Sequence, residues 1–299
     1  MTLGRLDQVS FIVNSIDDEQ FAQLEENLRK AFAPEVPNII RVPDARSMAE
    51  GLNRGARTTS SEWLIFCHDD IRIIGDPKAV VAEAMATTDI FGPCGTVRLT
   101  SGNWYDAGHP YLFGHVVAPN LRQQGKFELQ IFGMSECNVV TGGEALYGIW
   151  IACRRSLFDT LAGFDEATYT DFVGYDIDFS FRAALAGARV GIVTGLTLFH
   201  DSHVGRFSKE KLALWEKTQR DFELMFSHHL SSEVGNRTHL NVPLASLNEA
   251  LDVLNLKGWQ LQEENKSKAS LEPTKMPVLA PMRKLLGFSL ASLLKRNRS

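Results

Sequence analysis

The stretch that most constrains the fold is an apolar run, residues 63 to 67, that ends in His68-Asp69-Asp70. The run has no helical period, which is typical of a strand covered on both faces of a sheet. Charged side chains cannot continue into such a core, because burying an unpaired charge is energetically costly. We therefore expect the three polar residues at the carboxyl edge of the sheet, where open α/β sheets bind ligands. Strand alternation would place His68 and Asp70 on one face and Asp69 on the other.

Taken alone, this motif has two interpretations. A polar strand end that caps the next turn is the more common one. The other interpretation is a strand end whose side chains bind a metal. Further ligands elsewhere in the chain are needed to favour it.

The segments around this run alternate between strand and helix patterns. Strands are predicted at residues 8–13 and 38–42, with an amphipathic helix between them. A second helix, residues 45–58, should be capped by Asp44. This β-α-β-α-β order predicts an α/β fold with a mostly parallel, doubly wound sheet flanked by helices.

The rest of the chain departs from this alternation. Residues 95–143 are rich in glycine, asparagine and aromatic side chains, which predicts a smaller insertion of loops and short antiparallel strands. A second buried strand is expected at residues 145–152. An exposed aromatic loop around Trp104, near a ligand-binding edge, could hold a sugar ring; a small core beneath the loops is an equally common use of such residues.

Changes in composition divide the chain into three predicted parts. They are an α/β domain at residues 1–205, a helical C-terminal extension at 206–260 and a flexible, basic, amphipathic tail at 261–299. Residues 282–298 carry five basic side chains and no acidic one, with leucine and phenylalanine between them. This segment could lie on an anionic membrane surface or dock a partner, and a frayed or self-packed tail is the alternative.

The charge balance of the chain limits its partners. With 31 basic and 36 acidic residues and a net charge of -5, there is no electrostatic case for a nucleic-acid partner. The N-terminus has no signal-peptide pattern and no window approaches the length of a membrane span, so we expect a cytoplasmic protein, peripheral at the inner face of the membrane if the tail binds there. The widely spaced cysteines form no C-x-x-C pair, which predicts buried, reduced thiols at Cys67, Cys94, Cys137 and Cys153.

Two further polar residues could face the same edge as the first motif. Asp176 opens a predicted helix, and His200 ends a predicted strand. Carboxylate and imidazole ligands on an open site suit Mn²⁺ or Mg²⁺, and Mg²⁺ is usually held by one or two carboxylates together with substrate phosphates. Glycine-rich phosphate motifs of the P-loop and dinucleotide types are absent, so the phosphates of a nucleoside diphosphate would be held mainly by the metal. At a helix N-terminus, Asp176 should stay ionised and act as a base.

The order of these motifs resembles the family-two glycosyltransferases of GT-A fold. The resemblance covers roughly residues 8 to 205 and is carried by Asp44, Asn53-Arg54-Gly55, His68-Asp69-Asp70, Gly163-Phe164-Asp165-Glu166, Tyr175-Asp176-Ile177-Asp178 and His200. A histidine at the first position of the Asp-x-Asp motif is similar to a bacterial subgroup of that family. Tyr175 stands where a glutamate usually precedes the base.

The resemblance implies a role for each matching residue. Asp70 and His200 would bind the metal, and Asp176 would be the catalytic base. The donor nucleotide would be bound by Asn14, Ser15, Asp44, Asn53, His68 and Asp69. The acceptor or the transferred sugar would contact Trp104, Gly148 and Tyr175.

The activity implied is an inverting, metal-dependent transfer of a sugar from a nucleotide-diphosphate sugar to an acceptor hydroxyl. The cofactor would be Mn²⁺ or Mg²⁺, and the acceptor a glycan, a lipid-linked molecule or a protein in the synthesis of cell-surface glycans or glycoconjugates. Nucleotidyl transfer would need a basic, glycine-rich loop after the first strand, whereas Gly4 and Arg5 precede that strand. A non-catalytic nucleotide- or glycan-binding scaffold is the other alternative, favoured by Tyr175 and His68.

Overall fold

The computed structural model describes residues 8–201 and 208–271. The chain divides into one compact unit, Met1–Leu261, and a second unit, Gln262–Ser299. The fold and the candidate site lie in the first unit. Of the second unit, residues 262–271 are described, and they are helical.

The described strands and helices lie between Val9 and Leu271. The strands are β1 Val9–Asn14, β2 Asn38–Val42, β3 Trp63–Cys67, β4 Ile71–Ile74, β5 Ile90–Gly92, β6 Cys94–Thr96, β7 Leu112–Pro119, β8 Phe127–Gly133, β9 Val139–Thr141, β10 Ala145–Leu146, β11 Trp150–Arg154, β12 Val190–Val193, β13 Thr197–His200 and β14 Leu240–Leu244. The helices are α1 Asp18–Ala31, α2 Met48–Ala56, α3 Lys78–Thr87, α4 Arg155–Thr160, α5 Tyr175–Leu185, α6 Lys209–Phe226 and α7 Glu249–Leu271.

The first sheet has the order β2-β1-β3-β11-β5-β12-β9. β1 pairs in parallel with β2 and β3, as predicted, whereas β11 runs antiparallel to β3 and β5. The sheet is therefore mixed. Its two faces are covered by different helices: Leu24 and Leu28 of α1 lie in one core cluster, and Ala49 and Leu52 of α2 lie in the other. The predicted α/β class is confirmed.

β3 is buried along its whole length because alternate side chains enter the two cores. Trp63 and Ile65 pack on the α1 side, and Leu64 and Phe66 pack on the α2 side. Burial on both faces explains why the run shows no amphipathic period. It also explains why the polar residues begin where the strand ends.

A second sheet is built mainly from the predicted insertion. Its order is β10-β6-β7-β13-β4, and β8 and β14 extend it from β7. The pairings of β6 with β7 and of β7 with β8 are antiparallel, as predicted for residues 95–143. β14 comes from the segment predicted as a helical extension, so that segment contains a strand between α6 and α7.

Three local predictions are corrected by the structure. Helix α2 begins at Met48 and is capped by Ser47, whereas Asp44 is exposed and forms an ion pair with Arg54. The strand predicted at residues 145–152 is split into β10 and β11 by a turn. Helix α7 continues to Leu271, so the beginning of the tail predicted to be flexible is helical.

The remaining sequence predictions concern cysteines and membranes. The four cysteines are free, and Cys67, Cys94 and Cys153 are buried, but Cys137 is exposed, contrary to the prediction. No described helix is both long and apolar enough to cross a membrane. The proposed membrane-contact segment, residues 282–298, lies outside the described residues.

Candidate active site

The His68-Asp69-Asp70 motif lies where the chain leaves the first sheet and enters the second. Just after β3, the backbone N–H of His68 donates a hydrogen bond of 3.2 Å to the carbonyl of Ile149. β4 begins at Ile71, which pairs with His200 at the end of β13. The motif is thus a turn between two sheets, and the alternation expected for a strand does not hold. All three side chains, Asp69 included, line one cavity.

His68, Asp70 and His200 form a group that could hold a metal ion. One ligand atom from each residue lies within 4.8 Å of the others. Nδ1 of His68 is 3.6 Å from Oδ1 of Asp70, and Nε2 of His200 is 3.3 Å from Oδ2. Oδ1 of Asp70 is buried and has no hydrogen-bond partner among the described residues. Because a buried oxygen without a donor is costly, these residues fit a bound cation.

The electrostatics of this group favour an ionised carboxylate. Burial alone would raise the pKa of Asp70, but the neighbouring imidazoles of His200 and His68 hold it well below its usual range. Burial alone would lower the pKa of His68, whereas contact with Asp70 raises it above its usual value. Asp70 therefore remains a negatively charged ligand between two imidazoles.

In each of the two histidines, the ring nitrogen that does not face Asp70 lies close to a tyrosine hydroxyl. The hydroxyl of Tyr175 is 3.0 Å from Nε2 of His68, and the hydroxyl of Tyr147 is 3.2 Å from Nδ1 of His200. Burial raises the pKa of both tyrosines, so their hydroxyls stay protonated. Both nitrogens of each imidazole thus face a polar partner.

Asp176 lies in the first turn of α5, which begins after Gly174 in the left-handed region with φ 80°. Oδ2 of Asp176 accepts a hydrogen bond of 2.8 Å from the backbone N–H of Gly148. Burial raises the pKa of Asp176 and outweighs the backbone N–H groups around it, which lower it. The helix terminus was predicted to keep this carboxyl ionised; the larger effect is that burial makes it a stronger proton acceptor.

Gly148 allows this contact because it has no side chain. A Cβ at this position would lie 2.7 Å from Oδ2 of Asp176 and 2.8 Å from the hydroxyl of Tyr175. The close approach accounts for the turn between β10 and β11. The predicted continuous strand is interrupted where its backbone N–H is used by Asp176.

A cavity of about 700 Å³ brings most of the predicted site residues together. Its described lining includes His68, Asp69, Asp70, Gly148, Tyr175, Asp176 and His200. The predicted metal ligands, the predicted base and two of the predicted sugar contacts therefore face one space. A volume of this size is in the range of small-molecule sites.

The other predicted donor residues do not line this cavity in the described structure. Ser15 is buried and its hydroxyl contacts Asp69, which places the end of β1 next to the cavity. Asn14 donates to the carbonyl of Met48, and its Oδ1 is buried without a described partner. Nucleotide contacts of Asn14, Ser15 and the exposed Asp44 stay predictions.

Asn53 has a structural use that the sequence did not indicate. It is 3% exposed, and its amide bonds both the N–H and the carbonyl of Phe164 at 2.9 and 2.8 Å. This tie fixes the loop after α4 to α2. Both amide atoms are occupied by backbone, which argues against the predicted nucleotide contact.

Trp104 is buried, contrary to the expectation of an exposed ring. It is 7% exposed and stacks on Tyr147, with ring centroids 5.6 Å apart. Phe132 packs edge-on against it at 4.9 Å. Trp104 is thus a support beneath Tyr147 and does not line the cavity among the described residues.

Several cavity residues were not identified from the sequence. Tyr147 was not assigned a role, although a tyrosine and a glycine interrupt an otherwise apolar stretch and could have indicated the turn. The rest of the lining comes from several distant segments, whose contributions depend on tertiary packing. These residues are Asp17, Glu19, Gln20, Gln23 and Leu24 near α1, Ile71 and Arg72 at the start of β4, Phe172, Val173 and Gly174 before α5, Asp201 after β13, and Lys211 and Trp215 in α6.

The α/β fold and this cavity, with its acidic and imidazole groups, fit the transferase class predicted from the sequence. The sequence matches the glycosyltransferase-like family over residues 10–219. The chain belongs to this family. A search of curated protein sequences found no significant match.

Solved structures of glycosyltransferases are similar to this chain at low identity. One is the mannosyltransferase PcManGT from Pyrobaculum calidifontis in complex with GDP-Man and Mn²⁺, with 13% sequence identity and a TM-score of 0.45. The match covers 88% of this chain and 74% of the PcManGT chain. TarS from S. aureus, residues 1–349 with UDP, has 15% identity and a TM-score of 0.42, covering 70% and 63%. GalNAc-T7 with UDP, GalNAc and Mn²⁺ has 11% identity and a TM-score of 0.41, covering 70% and 40%.

Proposed function

We propose that this protein transfers a sugar, with inversion and with a divalent metal, from a nucleotide-diphosphate sugar to an acceptor hydroxyl. The observation that carries the proposal is the carboxylate of Asp70, which lies between two imidazoles in the same cavity as Asp176 and whose buried Oδ1 has no hydrogen-bond partner among the described residues. Family membership supplies the reaction class. The cavity supplies a place for a charged leaving group and a base for an incoming hydroxyl.

The metal would be held by His68, Asp70 and His200. When bound, a divalent cation there would stabilise the negative charge that develops on the diphosphate as it leaves. With no P-loop in the sequence, this metal is the main candidate for holding the phosphates. Mn²⁺ fits the two imidazole ligands better than Mg²⁺, which prefers oxygen ligands.

Asp176 would act as the base. Its Oδ2 is fixed by the N–H of Gly148, which leaves the rest of the carboxylate to accept a proton. The acceptor oxygen attacks the anomeric carbon, the bond from that carbon to the diphosphate breaks, and the hydroxyl proton passes to Asp176. A single displacement of this kind inverts the anomeric configuration, through an oxocarbenium-like transition state.

The acceptor would enter between the wall near α1 and the aromatic residues Phe172 and Trp215. Aromatic rings of this kind present flat apolar faces and suit a glycan acceptor. A lipid-linked or protein acceptor in cell-surface glycan synthesis also fits an open cavity. Contact of residues 282–298 with the inner face of a membrane is part of the same proposal and rests on the basic, amphipathic sequence alone.

A donor panel tests the proposal and separates an enzyme from a binding scaffold. Thermal shifts with UDP, GDP, dTDP and CDP, each with and without Mn²⁺, identify the nucleotide base of the donor. The matching sugar nucleotides are then incubated with the protein, and release of the nucleotide is measured. We expect one nucleotide to stabilise the protein only with the metal and its sugar nucleotide to be slowly hydrolysed. Metal-dependent binding without hydrolysis or transfer to any acceptor would favour the scaffold.

A further inference from the structure

We propose that Tyr147 and Tyr175 are positioning residues that fix the orientation of His200 and His68, with Tyr175 also fixing the tautomer of His68, and so set the affinity of the site for its metal. This inference rests on the metal site of the proposed function and names the residues that hold its two histidine ligands in place. Metal-binding histidines commonly donate their other ring N–H to a fixed acceptor, and loss of that acceptor typically costs about 10- to 100-fold in metal affinity.

The hydrogen bonds around Tyr175 assign the tautomer of His68. The hydroxyl of Tyr175 donates to the carbonyl of Gly148 at 3.3 Å. A carbonyl can only accept, so when this hydroxyl donates to Gly148 its oxygen accepts from Nε2 of His68 at 3.0 Å. In the neutral ring that can bind a metal, Nε2 therefore carries the proton and Nδ1 presents its lone pair.

That lone pair is directed toward a negative group. Nδ1 of His68 lies 3.6 Å from Oδ1 of Asp70, which is the buried oxygen with no described hydrogen-bond partner. A lone pair facing a carboxylate oxygen is unfavourable unless a proton or a metal cation lies between them. The hydrogen-bond chain through Tyr175 thus prepares a gap for a positive ion.

Tyr147 contacts His200 from the opposite side and limits the orientation of its ring. Its hydroxyl lies 3.2 Å from Nδ1 of His200, and Nε2 of that ring lies 3.3 Å from Oδ2 of Asp70. Tyr147 is itself held by its stack on the buried Trp104. The two histidines therefore use different nitrogens toward Asp70, one at each carboxylate oxygen.

The arrangement predicts that removal of one hydroxyl leaves the cavity shape intact but frees an imidazole. Tyr175→Phe and Tyr147→Phe each remove a single oxygen. Tyr169→Phe is the matched control, because Tyr169 is 3% exposed and its hydroxyl has no described hydrogen-bond partner. The control also removes one buried hydroxyl, but away from the metal group and the cavity lining.

The test is the Kd for Mn²⁺ of the full chain without any nucleotide, measured from the electron paramagnetic resonance signal of free Mn²⁺. We expect each of the two variants to bind Mn²⁺ about 10- to 100-fold more weakly than the wild type, and Tyr169→Phe to bind within about twofold. The visible spectrum of bound Co²⁺ should change in the two variants and not in the control. Melting temperatures without metal identify any general loss of stability.

Each other outcome overturns the inference. Equal Mn²⁺ affinity in the wild type and both variants would show that the hydroxyls do not position the ligands, and the proposed function would stand if His68→Ala still weakened binding. Equal weakening in all three variants would indicate a general packing effect. A wild-type chain that binds no Mn²⁺ with or without nucleotide would remove the inference together with the metal part of the proposed function.

Discussion

The carboxylate of Asp176 accepts its hydrogen bond from the backbone of Gly148, at 2.8 Å. Asp176 is in α5 and Gly148 is in the turn between β10 and β11, so this contact joins two elements of the cavity. It places the proposed base and interrupts the predicted strand at the same point. The absence of a side chain at residue 148 is what permits it.

Gly148→Ala should therefore impair catalysis more than folding. The new Cβ would lie 2.7 Å from Oδ2 of Asp176, so the carboxylate must move. Displacing a catalytic group by about 1 Å can cost about 100-fold in rate, and we expect kcat to fall by about that factor with a smaller change in KM. Gly258→Ala in α7 is the control, since no described atom lies within 4 Å of its Cβ position. Equal kcat in the two variants would contradict the role of this contact.

The identity of the metal is a second prediction. Two imidazoles and one carboxylate favour a transition ion, so Mn²⁺ and Co²⁺ should support turnover better than Mg²⁺. In His68→Asp the ligands become two carboxylates and one imidazole, and the ratio of Mg²⁺-supported to Mn²⁺-supported activity should rise. The ratio is measured with metal-depleted protein at saturating metal. A ratio that is unchanged by the substitution would argue that His68 is not a ligand.

His115 gives the stability of the fold a pH dependence that can be measured. It is buried with Nε2 2.8 Å from the hydroxyl of Thr197, and burial lowers its pKa to about 4. In the unfolded chain its pKa is about 6.5, so between these values the unfolded state binds more protons. The contribution of the neutral His115 to the free energy of unfolding is fully present above pH 6.5. It falls by about 3 kcal/mol as the pH drops toward 4.

The contribution of His115 is isolated by comparison with a variant. His115→Gln keeps a polar partner for Thr197 but does not titrate. Urea unfolding of both proteins from pH 4 to 7 should show that the difference between their unfolding free energies changes across this window. Parallel curves would contradict the buried, neutral histidine.

The hydrogen bonds between Asn53 and the backbone of Phe164 should contribute to the stability of the fold. Asn53→Ala would leave the buried N–H and carbonyl of Phe164 without their side-chain partner, and we expect a cost of about 2 kcal/mol in the free energy of unfolding. Asn138→Ala is the control, since that exposed side chain bonds Glu83 at the surface. It should change stability by less than about 0.5 kcal/mol. Metal-dependent nucleotide binding that is lost in Asn53→Ala while its stability is unchanged would instead support the predicted nucleotide contact.

The parts of the site that could be predicted are those that depend on local chemistry. An apolar run that ends in His68-Asp69-Asp70 can only place those residues at a strand end, because charge does not enter a core. The same reasoning placed His200 at the end of β13 and Asp176 in the first turn of α5. In the structure these residues line one cavity.

The parts that could not be predicted depend on contacts between distant segments. Residues 145–152 are uniformly apolar apart from Tyr147 and Gly148, and only the approach of Asp176 explains why the strand breaks there. The chain turns at Asp69 because β4 pairs with β13 in a second sheet, and the sequence does not indicate this pairing. Ser47 and Asp44 are both good caps, and the choice of Ser47 is made by its hydrogen bond to the N–H of Glu50.

Asp176→Asn tests the central claim most directly. The substitution keeps an oxygen that can accept from Gly148 but removes the proton acceptor. The account predicts that metal-dependent donor binding stays within about twofold of the wild type, while sugar transfer measured in a single turnover falls by about 1,000-fold. Transfer at the wild-type rate with the donor fully bound would contradict the assignment of Asp176 as the base.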